Sequence, residues 1–318
     1  MGSTKIGIDI GSRRLKLVSQ ERCVSAEMQQ DFIREGRVLS YDALGEFLGE
    51  VLREQKLRAK KAVLVLPEGA AVLRQISMPM MEEKHLRLNL PYEFADFLNE
   101  DKESYNFDFV VLGTEEDAEG KETIRLLAAA VNRELIHHFA EMCRTAGLRL
   151  EGAIPYAMSF SNLLLSKPEG EHCFIDLGHS ACRITIFRDR ELAATRVIEY
   201  GCQMLDTVIA EELEVDVHLA ATYKETNYQN CLDSEGCRNL YHGVAVEVMR
   251  AINFYRFNHP ESTLEKAYLC GGGTKISPLV EALREYVGLS LHSMDEVVTD
   301  MDDGDAALFA NAAGAIEQ

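Results

Sequence analysis

A chain of 318 residues exceeds the ~100–200 residues of a typical single domain, so two domains with substantial cores are expected. Its 33 Lys plus Arg against 52 Asp plus Glu leave a net charge of −19, which argues against a nucleic-acid or anionic-membrane surface. At 47% hydrophobic, with 7 Pro and 22 Gly, the composition also excludes a disordered or low-complexity chain.

In chain order, a β-branched segment at 5–10, broken by Gly7 and Gly11, and a second apolar run at 15–18 predict two strands joined by a tight turn. Residues 42–55 repeat Leu44, Phe47, Leu48, Val51 and Leu52 at the spacing of an amphipathic helix, and 62–66 reads as a buried strand. Residues 82–99 place Leu86, Leu90, Phe94, Phe97 and Leu98 on one helical face, with Pro91 expected to kink or restart the helix. Alternation at Tyr105, Phe107, Phe109 and Val111 predicts a half-buried strand, 114–121 a surface turn, and 124–131 another buried strand. A helix at 133–145 closes on Gly147, so 77–148 forms a strand-helix-strand-strand-helix packet. Further on come strands at 173–175 and 183–187, helices at 203–213 and about 240–258, and a strand that runs into Gly271-Gly272-Gly273 before a helix from Ser277-Pro278. This order of mixed elements indicates an α/β protein.

The eight cysteines are scattered, mostly in apolar runs, with no disulfide framework and no CxxC pair. Cys231, Cys237 and His242 come nearest to a metal cluster, and their spacing fits no zinc module. The longest apolar runs, 62–66 and 126–131, are far short of the ~20 residues of a bilayer span, and a cytoplasmic chain is expected. The acidic run 295–305 reads as solvated loop charge, His85, His137 and His138 as surface or packing residues, and Met78, Met80 and Met81 as core or hinge packing.

One segment recurs. Residues 8–17, Ile-Asp-Ile-Gly-Ser-Arg-Arg-Leu-Lys-Leu, align without gaps on 175–184, Ile-Asp-Leu-Gly-His-Ser-Ala-Cys-Arg-Ile, an internal duplication of a strand-turn-strand unit. An apolar strand ending in Asp-x-Gly before a small turn offers backbone N–H groups to phosphate oxygens, and its Asp can hold hydrated Mg²⁺ beside them. The triple glycine supplies side-chain-free backbone that can lie flat against a purine, next to a helix N-terminus that favours anions.

Two Asp-x-Gly hairpins and a glycine run resemble the superfamily of actin, heat-shock and sugar-kinase ATPases. More closely, nearly the whole chain resembles PilM, the cytoplasmic actin-like family of type IV pilus assembly, a relative of the division protein FtsA. The resemblance includes Ala62-Val63-Leu64-Val65-Leu66-Pro67, Gln75-Ile76-Ser77-Met78-Pro79, the 126–131 strand with its helix to Gly147-Leu148, and Gly201-Cys202-Gln203. It implies an α/β fold of duplicated actin-like, ribonuclease H-like domains with an inserted 1C subdomain. The implied limits are 1–76, 149–190 and 303–318 for domain I, 77–148 for 1C and 191–302 for domain II. Carried over by residue, Asp9, Gly11, Ser12 and Lys16 match the first phosphate motif, Asp176, Gly178 and Ser180 the second, and Gly271, Gly272 and Gly273 the adenosine motif. Lys224 stands where the family places a basic residue near the ribose. ATP and Mg²⁺ are the implied ligands, with the metal held through water by Asp9 and Asp176.

The departures point away from turnover. Arg13 and Arg14 replace small hydroxyl residues, and their guanidinium groups either pair with phosphates or fill their space. His179, Ala181 and Cys182 remove donors from the second hairpin, and Ala221 replaces the acidic partner of Lys224. Ile154 precedes Pro155 where the family carries a water-orienting polar residue, and Glu151 is out of register. The reading is therefore an assembly protein of a pilus, secretion or competence machine with weak or no hydrolysis. Its implied partner is the cytoplasmic N-terminal tail of a PilN-like inner-membrane protein, held between the first domain and 1C, while the sequence leaves self-association with a second copy of the chain open. No nucleic acid or direct membrane insertion is expected. The alternatives are an active ATPase or kinase of the superfamily, or an FtsA-like division protein, whose C-terminal amphipathic helix this ending does not resemble.

Overall fold

The computed structural model describes residues 5–28, 32–34, 37–116, 120–298 and 306–317. Backbone contacts divide the chain into two units, residues 1–6 with 31–156 and residues 7–30 with 157–318. The first strands are β1 (Lys5–Ile10), β2 (Arg14–Ser19), β3 (Cys23–Glu27), β4 (Ile33–Arg34) and β5 (Arg37–Val38). Then follow α1 (Tyr41–Glu54), β6 (Lys61–Leu66), β7 (Ala71–Pro79), α2 (Glu83–Glu93), β8 (Tyr105–Glu116), β9 (Glu122–Asn132), α3 (Arg133–Thr145) and β10 (Arg149–Pro155). The rest is α4 (Ser159–Leu163), β11 (Glu171–Leu177), β12 (Cys182–Arg188), β13 (Glu191–Ile198), α5 (Gln203–Leu213), α6 (Val217–Thr226), α7 (Glu235–Asn258), β14 (Lys266–Cys270), α8 (Ser277–Tyr286), β15 (Ser290–Ser293) and α9 (Ala306–Gly314). Two mixed five-stranded sheets result, ordered β10-β6-β1-β2-β3 and β13-β12-β11-β14-β15, with a three-stranded sheet β7-β9-β8. The expected α/β class is what the chain forms.

In the first unit, Ser40 Oγ accepts the Ala43 N–H at 3.3 Å and so starts α1, while Asn132 caps α3 in the same way. Gly45 lets α1 approach α3, because a Cβ there would lie 2.7 Å from the Met142 carbonyl oxygen. The three-stranded sheet carries its own core, in which Phe94, Leu126, Ala128 and Ala130 are fully buried with Leu86 and Leu90 of α2. Two expectations shift here. The helix of 82–99 stops at Glu93, two residues after Pro91, because proline removes the N–H that would bond the Arg87 carbonyl; a separate 3-10 turn, Ala95–Phe97, follows. The turn expected from residue 114 starts later, since Glu115 pairs with Thr123 and Glu116 with Glu122, and the ladder extends β8. Residues 117–119 of that turn lie outside the described residues, as do 299–305 of the acidic run.

In the second unit, the antiparallel β11-β12 hairpin sets Asp176 opposite Arg183, and β14 runs parallel to β11 with Cys270 beside Asp176. The core of this unit lies between the sheet and α7, where Ile175, Val248, Ile252 and Leu283 are buried. The Ala-rich α9 packs closely because Gly314 is bare: a Cβ there would lie 1.8 Å from the Ser159 carbonyl oxygen. Ser159 Oγ donates to Asn311 Oδ1 at 2.7 Å, joining α4 to α9 within the core. Among the described residues no helix is long and apolar enough to cross a membrane.

Candidate functional site

The duplication seen in the sequence is a duplication of hydrogen bonding. In the first hairpin the Gly11 N–H donates to the Arg14 carbonyl at 3.0 Å, and in the second the Gly178 N–H donates to the Ala181 carbonyl at 3.1 Å, at aligned positions. The second turn demands glycine, since a Cβ on Gly178 would lie 2.6 Å from the Ala181 oxygen, while at Gly11 a Cβ would fit tightly, 3.0 Å from that of Arg14. Each aspartate ends its strand facing a cation on the return strand: Lys16 Nζ lies 2.8 Å from Asp9 Oδ2, and Arg183 Nη1 lies 3.8 Å from Asp176 Oδ2. Ser12 and Ser180 lie in the two turns.

The fold gathers further charge around these turns. Burial works against the Lys16 ammonium, but the Asp9 and Asp176 carboxylates outweigh it and hold its pKa above the ordinary value. Lys224 of α6 is almost buried and lies 2.6 Å from Asp206 of α5, and its Nζ also donates to the Cys202 carbonyl at 3.1 Å. The acidic partner that Ala221 does not provide therefore comes from Asp206. Arg13 reaches Glu225 at 2.9 Å and Glu27 at 3.3 Å. Arg14 points elsewhere, its Nη1 donating to Ser25 Oγ at 3.1 Å. Gly201 packs under the second turn, where a Cβ would meet the His179 oxygen at 2.2 Å, and the Cys202 and Gln203 N–H groups donate to the carbonyls of Gly178 and His179.

His179 is pushed down to about 4, first by burial and then by the nearby Lys224 and Arg13 charges. Its folded pKa is below 6.5, so at intermediate pH the unfolded chain takes up a proton that the folded chain refuses. Stability that is complete above pH 6.5 is therefore lost as the pH falls towards about 4. Urea midpoints measured over this range are expected to fall more steeply for the wild type than for His179→Asn; parallel curves would show that His179 does not titrate this way.

The glycine run does less for a ligand, and more for the fold, than its composition implies. Gly271 has φ +85° and its N–H donates to the Ala307 carbonyl at 2.8 Å; a Cβ there would lie 2.1 Å from Asp176 Oδ1. Gly273 is held by Leu177 and Cys202, at 2.7 and 2.8 Å from its would-be Cβ. Only Gly272 of the three faces open space, and it supplies the bare backbone on which a flat ring can rest.

These residues suit a polyphosphate: two tight glycine turns, and four cations in Arg13, Lys16, Arg183 and Lys224. All four cations are paired with carboxylates of the chain itself, so an anion must compete for them. Asp9 and Asp176 would face a phosphate-bound Mg²⁺ as outer, water-mediated partners, in competition with Lys16 and Arg183. Among the described residues no group of three or more His, Cys, Asp or Glu side chains is placed to hold a metal directly. Cys231 and Cys237 are buried thiols, and His242 rests edge-on against Tyr286. Glu151 is no free base: hydrogen bonds from Lys61 and Arg149, at 2.7 and 2.6 Å, hold its carboxyl below the usual range.

Sequence reading had not singled out Arg183, Asp206, Glu225 or Glu27. Arg183 was within reach, since the gapless repeat aligns it with Lys16. The other three meet their partners only through the packing of separate elements.

Comparison with solved structures places the whole chain in one fold. It is 23% identical to a structure described as "PilM-PilN type IV pilus biogenesis complex", covering 98% of this chain and 97% of that one with a TM-score of 0.82. The ethanolamine utilization protein EutJ from Carboxydothermus hydrogenoformans is 14% identical, with 100% and 91% coverage and a TM-score of 0.63. An archaeal actin homolog is 13% identical, with 98% coverage of both chains and a TM-score of 0.51. The fold is thus the actin-like ATPase fold, extended by the antiparallel β7-β9-β8 subdomain. No curated protein matches the sequence. The family model described as "Type IV pilus assembly protein PilM" matches residues 3–302, and the chain belongs to that family.

Proposed function

We propose that this chain is a cytoplasmic, actin-like assembly component of a type IV pilus or related machine that docks the cytoplasmic N-terminal tail of a PilN-like inner-membrane protein. It reaches the membrane through that partner. The observation that carries this reading is the chain-long likeness, at a TM-score of 0.82, to a structure that pairs PilM with PilN. Family membership over residues 3–302 supports it, and the net charge of −19 favours a basic tail peptide. The docking groove is assigned to the space between the first domain and the 1C subdomain at 77–148, with 191–302 as the second actin-like domain.

The cleft of Asp9, Asp176 and Gly272 is assigned to ATP with Mg²⁺, held without appreciable turnover. Ile154 cannot orient water and Glu151 is committed to Lys61 and Arg149, so the segment leading to Pro155 lacks the group that would activate a nucleophile. The partner reading is tested by fluorescence anisotropy with a labelled PilN-like tail peptide from the same organism. Saturable binding is expected, and a flat titration overturns it. Steady phosphate release above an Asp9→Ala control would instead favour an active ATPase.

A further inference from the structure

The net charge of −19 is not spread evenly over the chain. At one edge of the first unit two helices end and two parallel strands begin: α1 and α3 pack closely at Gly45 and Gly49, and Arg149 of β10 pairs with Lys61 of β6, the Arg149 N–H donating to the Lys60 carbonyl at 2.9 Å. Residues 53–61, which join α1 to β6, carry five cations, Arg53, Lys56, Arg58, Lys60 and Lys61, against one carboxylate, Glu54. Arg144, in the last turn of α3, and Arg149 stand beside them. Lys61 and Arg149 are paired with Glu151, and Arg144 with Glu141. Arg53, Lys56, Arg58 and Lys60 are exposed and, among the described residues, make no ion pair with a carboxylate. The fold accounts for part of this charge, since Arg53 and Arg144 each offset the negative end of a helix dipole. It does not account for Lys56, whose φ of +54° just past α1 is a left-handed position that glycine or asparagine fills with less strain, nor for Arg58 and Lys60.

What such an edge meets follows from its charge and its surroundings. Salt screens charges from one another beyond about 10 Å, so a contact here is decided by these cations and not by the sum over the chain. A folded protein partner needs an apolar anchor at the centre of the contact, and none of the exposed large hydrophobic side chains among the described residues lies at 53–61 or 144–149. Single-stranded nucleic acid stacks its bases on aromatic rings, which these two segments lack. Long Lys and Arg side chains without a carboxylate partner suit instead a fluid layer of anionic headgroups, which rearranges beneath them. We propose that this edge of the first unit makes a direct, peripheral contact with anionic phospholipid headgroups, carried chiefly by Lys56, Arg58 and Lys60, with no segment entering the bilayer. The setting rests on the proposed docking to a membrane protein, which brings the chain to the bilayer; the contact itself needs no PilN.

Vesicle flotation of the full chain tests this in the absence of PilN, so its failure leaves the partner reading standing. With phosphatidylcholine vesicles that contain about one third phosphatidylglycerol, the wild type is expected to float with the lipid at low salt and to be released at about 0.5 M salt. Pure phosphatidylcholine vesicles should leave it behind. The double variant Lys56→Glu, Arg58→Glu is expected to bind the anionic vesicles more weakly by about tenfold or more. Arg238→Glu, Arg284→Glu changes the net charge by the same amount at exposed positions of α7 and α8, and should float as the wild type does. The proposal is overturned by a wild type that stays off anionic vesicles, by a Lys56→Glu, Arg58→Glu chain that floats undiminished, by equal losses in the two double variants, or by tighter binding to a short DNA duplex than to the vesicles.

Discussion

Asp206→Ala is expected to lower the free energy of unfolding by about 3–5 kcal/mol, because it strands a buried ammonium. Lys224 and Asp206 are each less than a tenth exposed, and they meet at 2.6 Å between α6 and α5. Without the carboxylate, Lys224 keeps only the Cys202 carbonyl at 3.1 Å, which cannot offset the loss of hydration. Lys224→Met leaves the opposite charge uncompensated and should cost a similar amount. The double variant Asp206→Leu, Lys224→Met removes both charges and is expected to lose less than either single variant. Urea denaturation of the three chains decides the matter: single variants within about 0.5 kcal/mol of the wild type would show that water reaches the pair. Lys224→Met carries a second signature, since this ammonium is one of the charges that hold the His179 imidazole down. An NMR titration should therefore find the His179 pKa higher in that variant.

The pair also explains why parts of this site could be read from sequence and others could not. Asp9 and Asp176 announce themselves because the constraint is local: a strand, an aspartate and a glycine packed closely against the oxygen of Arg14 or Ala181 recur as one contiguous pattern. Lys224 carries a family signal, but its partner does not, since α5 and α6 are brought together by packing and no spacing within either helix encodes it. The same holds for Arg13, whose partner Glu225 is fixed by where α6 ends. Among the elements, α1 and α3 follow directly from apolar spacing and caps. Strand β13 was missed, for Ala193, Ala194, Thr195 and Arg196 show no alternation; what makes them a strand is the ladder that β12 offers, in which Arg183 lies opposite Val197 and Ile184 opposite Arg196.

The pairing of Arg13, Lys16, Arg183 and Lys224 with carboxylates would set the terms on which a phosphate ligand enters. A phosphate bound as proposed would have to displace Glu225 and Glu27 from Arg13, or share Lys16 with Asp9. The Arg13 pairs are partly exposed and cheap to exchange, whereas Lys16–Asp9 and Lys224–Asp206 are shielded from water and are not. If the proposed nucleotide site is right, Arg13 would be the cation that an incoming phosphate takes first.

Gly271→Ala is expected to be among the most damaging substitutions in the glycine loop, and Gly272→Ala among the mildest, although the two are neighbours in one Gly-Gly-Gly run. Gly271 adopts φ +85° and ψ 169°, a region that is essentially reserved for glycine and costs other residues about 1–3 kcal/mol. Its new Cβ would also lie 2.1 Å from Asp176 Oδ1 and 2.7 Å from the Leu177 carbonyl oxygen, so the loop must move off the second hairpin, at a further ~1–3 kcal/mol. Because Asp176 is one of the two carboxylates that hold Lys16, the displacement reaches the phosphate turns as well as the loop. At Gly272 a Cβ meets nothing within 4 Å and φ is not in the positive range, so stability should stay within about 0.5 kcal/mol of the wild type. Calorimetric titration with ATP and Mg²⁺ separates the two roles. If Gly271 holds the cleft together, Gly271→Ala abolishes ATP binding together with stability. If Gly272 is the surface under the nucleoside, Gly272→Ala weakens ATP binding while the urea midpoint stays in place, and unchanged affinity in that variant would move the nucleoside away from the glycine loop.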